Sequence, residues 1–162
     1  MKKLLTALLA ALSAVAICIF AGCAKDGENV KRVEINDYSS VILVASNDVL
    51  KLDGDTSLKD YLDALKSKGE LDFDGSNGDY GYFLSSLDGK DNEVISTAPY
   101  EGYSWMIYID FLTLDGVPYA SDYAVCEYNG QTLYSASYGV SGIPCVEGHT
   151  YAFVYEYYNY GN

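Results

Sequence analysis

The chain has 162 residues, enough for one domain with its own core and too few for a two-domain enzyme or a long repeat array. Ten Lys and Arg stand against 23 Asp and Glu, a formal net charge of -13, so the surface repels phosphate backbones and nucleic acid is excluded as a partner. Hydrophobic residues make up 49% of the chain, which excludes disorder despite that charge.

The first element in chain order is an address. Lys2 and Lys3 precede an almost wholly apolar run from Leu4 to Phe20, and Ala21-Gly22-Cys23 follows at once. A short basic region, an apolar stretch and small residues before a cysteine resemble a bacterial lipobox. This predicts a signal peptide over 1–22, a diacylglycerol on the Cys23 thiol and a lipidated tether over 23–30. The domain itself, 31–162, would sit on the extracellular face of a bacterial cell membrane, since lipid plus N-acylation anchors firmly. Cys126 and Cys145 then remain as an even pair in an oxidising compartment. A disulfide is the favoured reading, and two separately buried thiols the alternative.

Beyond the tether, Val30 to Ile35 and Val41 to Ala45 read as strands, with Val49 to Leu52 as a continuation of the second. Asp53-Gly54-Asp55 marks a turn. Leu58, Tyr61, Leu62 and Leu65 recur at helical spacing behind a Ser57–Asp60 capping box, and Gly69 closes the pattern, so one helix is expected there. Leu71 and Phe73 alternate with acids before a turn over Asp74 to Asp79. Tyr80 to Leu87 returns as a strand, followed by a turn at Asp88-Gly89-Lys90. Tyr103 to Phe111 is apolar on both faces, which places it centrally in a sheet. Asn129-Gly130 between Ala124–Tyr128 and Thr132–Ser137 is a hairpin signal. Tyr151, Phe153, Tyr155 and Tyr157 form the last strand. No Lys or Arg follows Lys90, whereas nine acidic residues do. One early helix followed by strands predicts an α+β fold, a β-grasp-like mixed sheet packed on one helix, with an all-β sandwich carrying a helical insertion as the alternative.

No catalytic set assembles. His149 is the sole imidazole and falls in a Gly-containing turn, where a solvent-exposed side chain is expected. Gly-x-Ser-x-Gly, His-Glu-x-x-His, Walker and Rossmann patterns are absent. Asp72, Asp74 and Asp79 crowd one loop, but Asn77 and Phe83 stand where a calcium hand needs Gly and Glu, so no metal site is assigned. Aromatic residues carry the remaining signal: 17 Tyr, 15 of them from Tyr80 onward, and one Trp. Tyr and Trp offer a flat apolar face with a polar tip, suited to stacking on a ligand. Tyr103, Trp105, Tyr119 and Tyr123 are the candidate ligand-binding residues.

Several segments recur in a familiar order: Ser57-Leu58-Lys59-Asp60-Tyr61-Leu62, Tyr82-Phe83-Leu84-Ser85-Ser86-Leu87-Asp88-Gly89 and Gly102-Tyr103-Ser104-Trp105-Met106-Ile107-Tyr108-Ile109. They are followed by Ala120-Ser121-Asp122-Tyr123 and Glu147-Gly148-His149-Thr150-Tyr151-Ala152-Phe153-Val154-Tyr155. Together these resemble the domain-of-unknown-function family similar to the C-terminal domain of transcobalamin and intrinsic factor, frequent among lipoproteins of Gram-positive bacteria. The resemblance spans roughly Lys31 to Tyr158. It implies a β-grasp-type domain that binds a ligand, without enzymatic activity. The expected function is a non-catalytic surface protein capturing a small soluble ligand, a corrinoid or another planar nutrient, with no resident cofactor. The alternative is a protein-interaction or adhesion module with a surface protein as partner.

Overall fold

A computed structural model describes residues 29–161. The expected signal peptide over 1–22 and the lipidation site Cys23 lie outside the described residues. Twelve strands and one α-helix follow in order: β1 (Val30–Ile35), β2 (Tyr38–Val44), α1 (Leu58–Ser67), β3 (Phe73–Gly78), β4 (Gly81–Leu87), β5 (Lys90–Asp91), β6 (Glu93–Thr97) and β7 (Tyr100–Ile109). Then come β8 (Thr113–Leu114), β9 (Val117–Pro118), β10 (Ala120–Tyr128), β11 (Gln131–Ala136), a 3-10 turn at Val140–Gly142 and β12 (Thr150–Asn159). The broad α+β expectation holds: the described residues are mostly antiparallel sheet with a single α-helix.

The main sheet has seven strands in the order β1-β2-β12-β7-β11-β10, with β6 also paired to β7. Every recorded pairing is antiparallel, which corrects the expected mixed sheet. The reason lies in the connections. Parallel neighbours need a crossover, and here α1 leads from β2 into β3, a strand of a separate three-stranded sheet β3-β4-β5. The segment expected to turn over Asp74 to Asp79 instead forms most of β3 and pairs with β4, so ladder pairing overrides its turn composition. Val49 to Leu52 forms no strand.

β12 and β7 are central, pairing from Tyr151↔Ile109 to Asn159↔Glu101. Period-2 alternation then sorts their side chains onto two cores. On one face Trp105, Ile107, Ile109, Tyr151, Phe153 and Tyr155 pack with the helix stripe Leu58, Tyr61, Leu62 and Leu65 and with Leu84 and Leu87 of the small sheet. On the other face Ile35, Ile42, Tyr108, Cys126, Leu133 and Val154 form a smaller core, and the end strands β1 and β10 approach each other. A Cβ on Gly102 would run into the Glu93 carbonyl oxygen, so only glycine lets β6 lie this close beside β7.

Helix α1 begins as its sequence dictates. Ser57 Oγ accepts from the Asp60 N–H (3.2 Å), and Asp60 Oδ2 accepts from the Ser57 N–H (2.9 Å). The Ser57 hydroxyl also donates to Asp60 Oδ2 (2.7 Å), and that bond, followed by the one from the Ser57 N–H, holds the Asp60 carboxyl below the usual carboxylate range. Ser57→Ala is expected to cost about 1 kcal/mol near neutral pH, read from the shift of a urea unfolding midpoint. Because Asp60 has a lowered folded-state pKa, its share is present above the ordinary carboxylate range and is lost as pH falls through that lowered value. A penalty growing toward acid would contradict the box.

Cys126 and Cys145 are unpaired, which corrects the favoured disulfide. Cys126 belongs to the small core and Cys145 to the helix-side core, so the sheet stands between them. Burial pushes both thiols up to about 12. Buried tyrosines staple the loops instead. Tyr151 donates to Pro144 O (2.8 Å) and accepts from the Val146 N–H (2.9 Å). Tyr61 likewise bridges Val44 O and the Ser46 N–H.

Candidate functional site

Two tight hairpins frame a groove on the helix-side face. The β1–β2 turn uses positive φ at Asn36 and Asp37, and the β4–β5 turn does so at Asp88 (51°) and Gly89 (74°). Such left-handed pairs match the strand twist and suit Asn, Asp and Gly. The first hairpin presents Arg32 and Ser39, and the second presents Asp88 and Lys90. Between them opens a groove of about 480 Å³ whose apolar lining is Val33, Val41, Leu87 and Trp105. Its size falls within the range of small-molecule sites.

Polar bonds hold this frame. Arg32 Nε donates to Asp88 Oδ2 (2.7 Å), and Nη2 donates to Asp88 Oδ1 (3.2 Å) and to the Glu70 carbonyl (2.9 Å). Trp105 Nε1 donates to the Lys90 carbonyl (2.8 Å), and the Trp105 N–H donates to Asn92 Oδ1 (3.1 Å). The Tyr155 hydroxyl donates to the Asp91 carbonyl (2.7 Å), and burial raises its pKa. The Lys90 ammonium stands 4.0 Å from the Tyr155 ring centroid and 3.1 Å from Ser39 Oγ. The indole is therefore clamped beneath the second hairpin.

Of the four candidate residues, the structure brings two together. Trp105 packs on Tyr155 (5.2 Å between ring centroids), and Tyr103 stacks on the same ring (5.5 Å, 8° between planes). Tyr119 is half-buried elsewhere, against Phe111 and Tyr138. Tyr123 is 95% exposed on β10, where the register shifts between Ser121 and Val125. Trp105 is only 7% exposed, so it lines a groove and is not an outward platform. Arg32, Lys90, Asp88 and Tyr155 were not singled out from sequence. The Asp88-Gly89-Lys90 turn and the shared parity of Tyr155 with Trp105's facing strand were the signals that could have found them.

His149 departs from the expected solvent-exposed turn residue. Its side chain is 32% exposed, and Nδ1 lies 2.7 Å from Asp110 Oδ1. Asp110 Oδ2 also accepts from the Thr150 N–H (2.9 Å) and from Gln131 Nε2 (3.0 Å), so the pair anchors the turn before β12. Asp72 and Asp74 lie 2.8 and 3.7 Å from Lys66, whose ammonium holds the Asp72 carboxyl below its ordinary range. Among the described residues no group of three or more His, Cys, Asp or Glu could hold a metal ion. No family model, curated protein or solved structure matches the chain.

Proposed function

We propose that this chain is a non-catalytic binding protein of the bacterial cell surface, tethered by lipid on Cys23, that holds a small planar ligand in the groove beside Trp105. The observation that carries this reading is the groove itself: about 480 Å³, lined by the sole indole with Val33, Val41 and Leu87 and carrying charged groups at its rim. Apolar walls with a few placed polar groups are what small-molecule sites require. Tyr103 and Tyr155 extend the aromatic surface from Trp105 along β7 and β12. The sequence resemblance to the transcobalamin C-terminal-like family and a β-grasp-like packing of α1 on the sheet belong to the same reading, with 31–162 as its domain. Corrinoids and other planar nutrients are its first candidates.

A specific observation favours an adhesion reading as the second. Tyr100, Tyr158 and Tyr160 cluster at centroid separations of 5.4 to 6.4 Å, with Tyr100 47% and Tyr160 70% exposed. An exposed aromatic patch of this kind suits a protein partner.

Equilibrium dialysis against cyanocobalamin, riboflavin and nicotinate, the last a planar monoanion, with Trp105 emission followed in parallel, tests the first reading. Saturable binding that alters the emission is expected. Absence of binding across the panel, with capture of a surface protein abolished by Tyr160→Ser, would transfer the function to the tyrosine cluster.

A further inference from the structure

We infer that the ligand of the Trp105 groove is a planar monoanion, its negative group held by the Lys90 ammonium while its ring lies against Trp105. This rests on the small-ligand reading of the groove and adds the charge of what enters it.

The charge at the rim is unusual for this chain. Against a formal net charge of -13, the groove carries two cations, Arg32 and Lys90, with two acids, Glu34 and Asp88. Asp88 is engaged by the Arg32 guanidinium on both carboxylate oxygens. Lys59 and Lys66 have carboxylate partners at 2.8 Å each, and of the described lysines without one only Lys90 lines the groove. Lys90 makes no ion pair among the described residues. Its ammonium has three N–H donors and finds one hydroxyl, Ser39 Oγ at 3.1 Å, together with the Tyr155 ring face. In a chain with more than two acids for every base, an ammonium held over an aromatic ring at a cavity mouth without a carboxylate is available to an incoming anion.

Glu34 sets the limit on that anion. It pairs in register with Ser39 and is exposed on the same rim, so a second negative charge on the ligand would meet a carboxylate. The arrangement selects one negative charge over none and over two.

The test uses 2-naphthoate and 2-naphthamide, a planar pair of matched shape differing in charge. The single tryptophan gives one indole N–H cross-peak in a proton–nitrogen NMR spectrum, which reports on the groove directly. Naphthoate is expected to bind more tightly than naphthamide. Lys90→Gln should lower the naphthoate-to-naphthamide affinity ratio about fivefold, Lys90→Arg should restore it, and Glu34→Gln should raise it. Added salt should weaken naphthoate more than naphthamide. If both probes shift the indole peak but Lys90→Gln leaves the ratio unmoved, or Glu34→Gln lowers it, the charge assignment is overturned and the groove reading stands. If neither probe shifts the peak, the groove reading itself fails.

Discussion

Replacing Phe153 with alanine is expected to lower the free energy of unfolding by about 4 kcal/mol, measured by urea denaturation with an unchanged slope. Phe153 is fully buried on β12, between Val41 of β2 and Ile107 of β7, beneath the helix stripe. Removing the ring forfeits its transfer free energy and leaves a cavity that both flanking strands, fixed by ladder bonds, are poorly placed to fill. Total stabilities of single domains are on the order of 5–15 kcal/mol, so one such change takes a large share. Tyr123→Ala is the control, within about 0.5 kcal/mol, because that side chain is 95% exposed. A loss below about 1 kcal/mol at Phe153 would mean the sheet and α1 do not share a packed core.

The parts of this fold that were legible are those written in local patterns. The helix could be read because its cap, its stripe and its stop lie within about four turns of chain. The central strand could be read because apolar residues on both faces require cover on both. What covers those faces is non-local. Trp105 reads as a docking aromatic until the β3–β4–β5 hairpins fold over it, and nothing near Trp105 in sequence announces that cover. Alternation reveals which residues share a face, but not which face the small sheet will occupy.

The cysteines failed for a related reason. Cys126 and Cys145 are close in sequence, yet the rest of a hairpin and a 3-10 turn intervene: the register of β10 places Cys126 and the loop before β12 places Cys145. Tyr119 and Tyr123 share with Trp105 only the flat face and polar tip of their side chains, and β10 pairs with β11 and not with β7's Trp105 end. The groove's charged rim was hidden because Arg32 and Asp88 are 56 positions apart. Only the two turns that present them were visible in the residues.

Trp105→Ala carries the second large effect, and it separates stability from binding. The indole is 7% exposed and packs on Tyr155, so truncation should cost about 3–5 kcal/mol. It also removes the Nε1 donor from the Lys90 carbonyl, one of the bonds tying β5 to the main sheet. Trp105→Phe keeps most of the packing and deletes that bond, so its stability cost should be clearly smaller. Both variants remove the indole reporter, so binding of the ligand found by dialysis is followed by calorimetry at a temperature where each stays folded. Alanine should abolish measurable affinity, because the groove loses its largest apolar wall and the anchor of Lys90's backbone together. Phenylalanine should keep part of it. Equal affinity in the native chain and the folded alanine variant would show that the ligand lies elsewhere, with the exposed Tyr100–Tyr158–Tyr160 cluster the next surface to truncate.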